Sequence, residues 1–312
     1  MVLATVAGVG VHALTDRYDR SVARQDLLDT SARRDRATVT GPLNYLLIGS
    51  DQRPTQSAGD ARSDTIIVVH VPATLDRAYL ISVPRDLLVD IPASGTHAAG
   101  TDKVNAAYQY GGGGEGGAQL LSATLSRLTG VRFDGAALID FSGFERVIDL
   151  VGGVRMCVDT PVRSIHTGTS FAAGCQQMTG ARALDYARQR YDLPHGDYDR
   201  QRHQQQLLRA IMDRVAPSDL MSNPIKLDQV IRAVGSALTV DTNGTQLEDL
   251  VFALRGIHSG ALVGVQLPSH PETIDEISYD LRDPDADGLF DALRGGDLDG
   301  WVRANSRWVN QL

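Results

Sequence analysis

Lysine is almost absent from this sequence, so nearly all of its positive charge is carried by arginine. Lys103 and Lys226 are the only lysines among 30 lysines and arginines. Acidic residues number 38, and the formal net charge is −8 at pH 7. A surface with excess negative charge does not attract a phosphate polymer. The composition therefore argues against a general nucleic-acid-binding protein, and any anion site must be a local cluster of arginines.

Cysteine is also scarce. Cys157 and Cys175 lie 18 positions apart, and neither belongs to a CxxC motif or lies beside a histidine pair, so a zinc site is not indicated. Two interpretations stay open from these residues: buried free thiols, or a disulfide if the protein is exported. The sequence also lacks a GxSxG motif and a Cys–His nucleophile signature, which argues against a covalent hydrolase.

Long apolar runs are missing as well. Residues 1–14, "MVLATVAGVGVHAL", fall short of the roughly 20 residues that a membrane-spanning helix needs, and they show no signal-peptide cleavage site. We interpret them as the remnant of a membrane anchor, with a first amphipathic helix as the alternative. Residues 15–41 are predicted to be a polar stalk, and residues 42–312 the folded domain.

The sequence does contain short β-branched runs that alternate with amphipathic stretches. "NYLLIGSD", "SDTIIVVHVP" and "RAYLISVPRD" are typical of buried strands, and "GAQLLSATLSRLTG" has apolar residues at helical spacing. This alternation predicts an α/β layered sandwich. Polar residues accompany each strand, and we expect them at the C-terminal strand ends, where open α/β sheets bind ligands. "GGGGEGG" at residues 111–117 is predicted to be a flexible loop.

Arginines and carboxylates gather at these strand ends and in one later segment, "RQRYDLPHGDYDRQR". Arginine forks bind phosphoryl oxygens bidentately, and carboxylates hold the Mg²⁺ that bridges two phosphates. The combination predicts a diphosphate site in which positioning and charge neutralisation supply most of the catalysis. The residues concerned are Asp51, Arg53, Arg62, Asp64, Arg85, Asp86, Arg188, Arg190, Asp197, Arg200 and Gln204.

Each of these residues has an ordinary structural alternative. Asp51 and Asp64 suit turn or helix-cap positions, and Arg85 suits an exposed position. Arg188 and Arg190 would diverge on a regular helix, so they can face one ligand only if the helix ends near them.

The later segment contains such a break, because Pro194 and Gly196 interrupt it. We therefore predict that the segment is the exit of a helix bent around a diphosphate, with Arg188, Arg190 and Arg200 converging on it and the intervening acids holding them in place. The alternative is an ion-paired surface loop. His203 and the glutamines that follow it, Gln204 excepted, are predicted to lie on the surface of the next helix.

Seven ordered motifs resemble those of the LytR-CpsA-Psr family over about residues 42–210. They are "NYLLIGSDQR", "RSDTIIVVHV", "AYLISVPRDLLVDIP", "KVNAAYQYGG", "DFSGFERVIDLVGGV", "MTGARALDYARQR" and "GDYDRQRHQQ". The resemblance implies a three-layer α/β/α sandwich with a mixed central sheet, outside the bacterial membrane and held there by one N-terminal anchor. In that oxidising location, we predict that Cys157 and Cys175 form a disulfide.

The resemblance also implies site residues. Asp51 and Asp64 match the metal-binding aspartates of the family, which hold Mg²⁺ (Mn²⁺ being an alternative), and Arg85 matches its diphosphate-binding arginine. The later family motif matches Arg188, Arg190, Arg200 and Gln204. Where the family often has Gly-Arg and then Arg-Gln-Gln, this chain has Asp199-Arg200 and His203-Gln204, and Arg202 is an alternative to Arg200.

The function that the resemblance implies is an extracytoplasmic phosphotransferase. It would move a phosphate-linked glycopolymer from a polyprenyl diphosphate carrier onto peptidoglycan at the membrane surface, with no nucleic-acid partner. Arg53 and Arg62 are predicted to assist diphosphate binding, Arg85 to act in catalysis, and Asp64 or Asp86 to be the general base. One alternative is a polyprenyl diphosphate hydrolase. The other is a non-catalytic protein that binds polyprenyl phosphate or has a regulatory role. "LLSATLSRL" and "FERVIDLV" either line a lipid tunnel, which the family implies, or pack as ordinary core.

Overall fold

A computed structural model describes residues 23–35, 38–50, 63–95, 97–215 and 238–312. The strands in chain order are β1 (Ala23–Arg24), β2 (Leu43–Ser50), β3 (Ser63–Val71), β4 (Ala78–Ser82), β5 (Leu88–Ile91), β6 (Gly100–Lys103), β7 (Gly135–Asp140), β8 (Val154–Val158), β9 (Val162–Arg163), β10 (Ser170–Phe171), β11 (Gly174–Met178), β12 (Leu238–Asp241), β13 (Leu262–Gln266), β14 (Ser269–Ile274), β15 (Ile277–Arg282) and β16 (Val309–Asn310). Eight of them form one sheet in the order β1-β12-β7-β2-β3-β4-β13-β16. The pairs β1–β12, β2–β7 and β4–β13 are parallel and the other neighbours are antiparallel, so the central sheet is mixed, as predicted.

Helices cover both faces of this sheet. They are α1 (Val104–Tyr110), α2 (Gly114–Thr129), α3 (Phe141–Leu150), α4 (Gly180–Ala187), α5 (Asp197–Val215), α6 (Leu247–Leu254), α7 (Asp285–Gly295) and α8 (Leu298–Ala304). Successive side chains of a strand point to opposite faces. Leu46 and Ile48 of β2 therefore join the main core under α1, α2 and α7, while Leu47 faces α3, α4 and α5. The predicted three-layer sandwich is confirmed.

A second, smaller core lies beside α4 and α5, and the disulfide lies on the exposed face of the strands that cover it. It contains Ile148, Val154, Met178, Tyr186 and Leu207, all nearly inaccessible to solvent, and burial of each large apolar side chain contributes about 1.5–3 kcal/mol. The hairpin formed by β8 and β11 closes this core, and its register sets the two cysteines directly opposite each other. They form the predicted disulfide, Cys157–Cys175.

The described part of the predicted stalk packs against the domain. β1 extends the central sheet by pairing with β12, and Leu27 and Leu28 are buried in the main core. The Leu28 N–H donates to Asp241 Oδ2 at 3.0 Å, and Arg33 Nη2 lies 3.0 Å from the same oxygen. The predicted anchor at residues 1–14 lies outside the described residues, and none of the described helices is long and apolar enough to cross a bilayer.

One expectation about the strand ends is wrong for β3. Because β3 runs antiparallel to β2 and β4, its start, and not its end, lies at the edge where those two strands end. Asp64 is the second residue of β3, whereas Arg85 follows the end of β4. The antiparallel pairing thus brings Asp64 and Arg85 to the same edge from opposite ends of their strands.

The glycine tract is also not simply a flexible loop, because α2 begins at Gly114 within it. A Cβ atom on Gly117 would lie 2.4 Å from the carbonyl oxygen of Tyr108, and one on Gly111 would lie 2.4 Å from the carbonyl oxygen of Gly116. Both distances are too short for any side chain. The glycines therefore permit the close approach of α1 and α2.

Candidate functional site

Arg85 lies among carboxylates at the edge where β4 ends. Its Nη1 is 2.6 Å from Asp64 Oδ1, and its Nε is 3.6 Å from Asp86 Oδ2 and 3.9 Å from Asp197 Oδ1. The Arg85 side chain is 17% exposed. Burial lowers the pKa of this guanidinium, but the negative charges of Asp64, Asp197 and Asp86 outweigh it and leave the pKa raised. Arg85 is therefore a permanent cation that holds three acidic side chains together.

The local sequence explains this position. The Val83 N–H still donates to the Ile66 carbonyl at 2.9 Å, but Pro84 has no N–H with which to continue the strand. The Leu87 N–H donates back to the Pro84 carbonyl at 3.1 Å and closes a turn. This turn presents Arg85 and Asp86 at the sheet edge.

Arg200 approaches the same place from the first turn of α5. It is only 4% exposed, and its Nη2 lies 2.9 Å from Asp197 Oδ1. Burial lowers the pKa of Arg200. Burial would raise the pKa of Asp197, but Arg200 and Arg85 outweigh it and leave that pKa lowered. We call Asp64, Arg85, Asp86, Asp197 and Arg200 the Arg85 cluster.

The cluster contains hydrogen-bond donors that no described residue satisfies. The Nε atoms of Arg85 and Arg200 are both buried and have no hydrogen-bond acceptor within the described ranges. Buried polar groups are normally paired, and an unpaired donor on a cation costs more than one on a neutral group. Two such donors from guanidinium groups suit the oxygens of an anionic ligand.

Arg188 and Arg190 occupy the break that was predicted between the helices, since α4 ends at Ala187 and α5 begins at Asp197. The Arg188 guanidinium lies 4.5 Å from the centre of the Phe141 ring. Arg190 lies 4.8 Å from the centre of the Tyr191 ring and donates to its hydroxyl at 2.8 Å.

Of the three arginines predicted to converge, only Arg200 is connected to Arg85, through Asp197. Across the described parts of the chain, neither Arg188 nor Arg190 forms an ion pair with a carboxylate. Of the intervening acids, Asp197 pairs with Arg200, as predicted, whereas Asp199 pairs with Arg202.

An apolar cavity of about 160 Å³ lies between the sheet and helices α3, α4 and α5. Phe144 of "FERVIDLV" lines it, whereas "LLSATLSRL" contributes Leu121 and Leu125 to the main core on the opposite face of the sheet. The polar part of the lining lies toward the Arg85 cluster, because Gln204 lies one helical turn after Arg200 along α5. This polar part consists of Thr65, Arg188 and Gln204.

Three predicted site residues, Asp51, Arg53 and Arg62, lie outside the described residues, so their roles stay predictions. Asp64 is the described member of the predicted metal pair, and its Oδ1 accepts from Arg85 Nη1. The described ranges contain no group of three or more histidines, cysteines or acids that could hold a metal. Carboxylate oxygen is nevertheless the donor that Mg²⁺ prefers, so the chemistry of Asp64 fits the predicted ion.

The prediction that His203 and the following glutamines lie on a helix surface is wrong for His203 and Gln205. His203 is 1% exposed and stacks on Tyr186 with ring centres 4.3 Å apart. Burial, together with the nearby Arg202 charge, lowers the pKa of His203 to about 4, so it is neutral at pH 7.

Gln205 is fully buried, and its Nε2 donates to the carbonyl oxygens of Leu80 and Val265 and to Ser82 Oγ at 2.8–2.9 Å. A buried polar face cannot be recognised from apolar periodicity. The "HQQQ" run therefore carried no local signal of burial.

Asp280 was missed entirely. It lies on β15 and is 8% exposed, its N–H donates to the Asp86 carbonyl at 2.9 Å, and its Oδ1 is 3.5 Å from the Tyr198 hydroxyl. Burial, followed by the charges of Asp197 and Asp86, raises the pKa of Asp280 to about 6. The contact joins segments far apart in the sequence, so no local pattern could have indicated it.

Asp280→Asn is expected to stabilise the protein above pH 6 and to change little near pH 4. A carboxyl whose pKa is raised in the folded state stabilises the fold fully below its unfolded pKa of 3.8, and this contribution is lost as the pH rises to about 6. The ionised Asp280 should cost on the order of 1–3 kcal/mol, which asparagine removes. Thermal melts of both proteins from pH 4 to 8 would measure the difference.

Asp35→Asn provides the matched control, because it removes the same group from an exposed side chain. A constant offset at every pH, or destabilisation by Asp280→Asn at pH 7, would contradict the assignment.

Three comparisons bear on this arrangement. The "Probable cell wall biosynthesis protein LcpB" of Corynebacterium glutamicum is 34% identical over 231 residues, which cover 70% of this chain. The "Polyisoprenyl-teichoic acid--peptidoglycan teichoic acid transferase TagU" of Oceanobacillus iheyensis is 30% identical over 239 residues, covering 76% of this chain and 70% of that protein. The structure of a "LytR-Csp2A-Psr enzyme from Actinomyces oris" superposes with a TM-score of 0.63 at 24% identity, covering 87% of this chain and 95% of that one, and shows the shared fold.

The chain spans only about half the length, 53%, of its corynebacterial relative. The model of the LytR_cpsA_psr family matches residues 11–294, which include the whole Arg85 cluster and most of the central sheet. The chain belongs to the LytR_cpsA_psr family.

Proposed function

We propose that this chain is an extracytoplasmic phosphotransferase that moves a phosphate-linked glycopolymer from a polyprenyl diphosphate onto peptidoglycan. The observation that carries the proposal is the position of an apolar cavity beside buried arginines with unpaired donors. A polyprenyl diphosphate has these two parts, an apolar chain and an anionic head. The name of the Oceanobacillus relative, a teichoic acid transferase acting between a polyisoprenyl carrier and peptidoglycan, supports the same reaction.

In this proposal the cavity holds the polyprenyl chain and the Arg85 cluster holds the diphosphate. Arg85 and Arg200 would bind phosphoryl oxygens through their unpaired Nε atoms, and positive charge fixed in a partly buried site stabilises the charge that develops in the transition state. Asp51 and Asp64 would hold Mg²⁺, which when bound neutralises part of the charge of the diphosphate.

The reaction itself is a single phosphoryl displacement. The oxygen of a peptidoglycan sugar hydroxyl forms a bond to the phosphorus on the sugar side, and the bond from that phosphorus to the bridging oxygen breaks. Polyprenyl phosphate leaves with that oxygen, and the hydroxyl proton passes to a carboxylate. Asp64 and Asp86 are the candidate bases. Asp86 Oδ1 also lies 3.0 Å from Lys103 Nζ, and that cation orients it.

A transfer assay tests the proposal. Purified protein would be mixed with a donor labelled in its sugar, with peptidoglycan, and with Mg²⁺, Mn²⁺ or EDTA. We expect label on peptidoglycan, one polyprenyl phosphate released for each transfer, and loss of both with EDTA. Asp64→Asn should abolish the metal-dependent turnover.

Other outcomes would assign the alternatives. Labelled sugar phosphate free in solution, with polyprenyl phosphate released, would indicate a hydrolase. Donor that binds and is recovered unchanged would indicate a carrier-binding protein. Turnover that is unaffected by EDTA would remove the metal from the proposal.

A further inference from the structure

Gln189 lies between Arg188 and Arg190 and is fully buried. Its Nε2 donates to Ser164 Oγ at 2.9 Å and to the Asp185 carbonyl at 3.0 Å. Its Oε1 accepts from the Ile165 N–H at 3.4 Å. A side chain held at both ends of its amide has little freedom to turn outward.

The partners of Gln189 are themselves fixed. Asp185 is 6% exposed and Ser164 is 3% exposed, and Ser164 Oγ donates to Asp185 Oδ1 at 2.6 Å. Thr167 Oγ1 donates to the other carboxylate oxygen, and the Thr167 N–H donates to Ser164 Oγ at 3.1 Å. This network joins the loop at residues 164–167 to the end of α4.

The network determines the chain direction between the two arginines. The Arg188 N–H donates to the Leu184 carbonyl at 3.1 Å, and the Gln189 N–H donates to the Tyr186 carbonyl at 3.1 Å, so α4 ends in a tightened turn. With Gln189 directed into the protein, Arg188 reaches the cavity lining. Both arginines remain half-buried and free of carboxylate partners in the described ranges.

We propose that Gln189 is a positioning residue that holds Arg188 and Arg190 in place for the phosphates of the donor. The inference rests on the proposed function, since it takes the bound anion to be a diphosphate. Gln189 touches neither the anion nor the reacting atoms. It acts by restricting the conformations of Arg188 and Arg190, which contact the anion in this proposal.

The test is a double-mutant cycle read by binding of inorganic pyrophosphate, which needs no turnover. Gln189→Leu keeps the size of the side chain but removes its hydrogen bonds. We expect it to weaken pyrophosphate binding about 10-fold in the parent protein, and less than about 2-fold in a protein that already carries Arg188→Ala and Arg190→Ala. An NMR titration measures the weaker dissociation constants. Gln25→Leu, at an exposed position beside β1, is the matched control.

The outcomes separate the two proposals. The same loss in both backgrounds, no loss in either, or a parent protein that does not bind pyrophosphate would overturn the positioning role. The transfer assay on the parent protein decides the proposed function independently. If thermal melting shows that Gln189→Leu does not fold, Ser164→Ala replaces it in the same double-mutant cycle, because it removes one hydrogen-bond partner of Gln189. We expect Ser164→Ala to weaken pyrophosphate binding about 3-fold, and only in the protein that retains Arg188 and Arg190.

Discussion

Arg85→Ala is expected to lower kcat/KM for glycopolymer transfer by about 100-fold or more. A charge-assisted hydrogen bond contributes about 1.5–3 kcal/mol, and each 1.4 kcal/mol corresponds to a factor of about ten in rate. Arg85 also supplies the cation shared by Asp64, Asp86 and Asp197. Without it, three carboxylates would face the incoming diphosphate.

Arg85→Lys is the matched variant, because it keeps the charge and loses the planar fork. We expect it to recover part of the activity and to remain about 10-fold below the parent protein. Both variants would be assayed well below the melting temperature of each, so that loss of folding is not scored as loss of catalysis. An alanine variant that keeps near-parent kcat/KM would exclude Arg85 from the reaction.

Arg200→Ala is expected to destabilise the fold by about 3–5 kcal/mol, because it leaves the largely buried Asp197 carboxylate without its nearest cation. Arg200 is 4% exposed, and Asp197 lies 2.9 Å from it. The paired replacement Asp197→Asn with Arg200→Met removes both charges, and we expect it to recover most of the lost free energy of unfolding. Urea unfolding monitored by circular dichroism would measure all three variants.

The control is an exposed ion pair. Arg282 and Asp287 lie 3.2 Å apart with side chains 44% and 67% exposed, and Arg282→Ala should cost no more than about 1 kcal/mol. If Arg200→Ala cost as little as Arg282→Ala, the buried pair would have no structural role. A double replacement as unstable as Arg200→Ala would show that the uncompensated charge is not the cause.

The central strands could be predicted from the sequence because their information is local. β2, β3 and β4 each have a short apolar run that ends at a proline or a turn residue, and each run overlaps the observed strand. The direction of β3 could not be predicted, since strand pairing depends on connections and not on periodicity. The helix break between Arg188 and Arg200 was visible in Pro194 and Gly196.

The parts of the site that escaped prediction depend on contacts between distant segments. Gln205 satisfies carbonyl groups of β4 and β13, and a polar residue on a helix gives no sign of such a partner before the fold is known. Asp280 of β15 reaches Asp86 through an isolated bridge between β15 and the turn that follows β4. The orientation of Arg188 likewise depends on Gln189 and Ser164, which belong to different elements.

A crystal structure of the protein with a polyprenyl diphosphate sugar and Mg²⁺ would test the central claim most directly. We expect the diphosphate oxygens to lie within hydrogen-bond distance of the Nε atoms of Arg85 and Arg200, with the ion on Asp64. It also predicts the first isoprenyl units in the cavity beside Thr65 and Phe144. A head group bound away from the Arg85 cluster, or a lipid chain lying outside the cavity while the diphosphate contacts other residues, would contradict it.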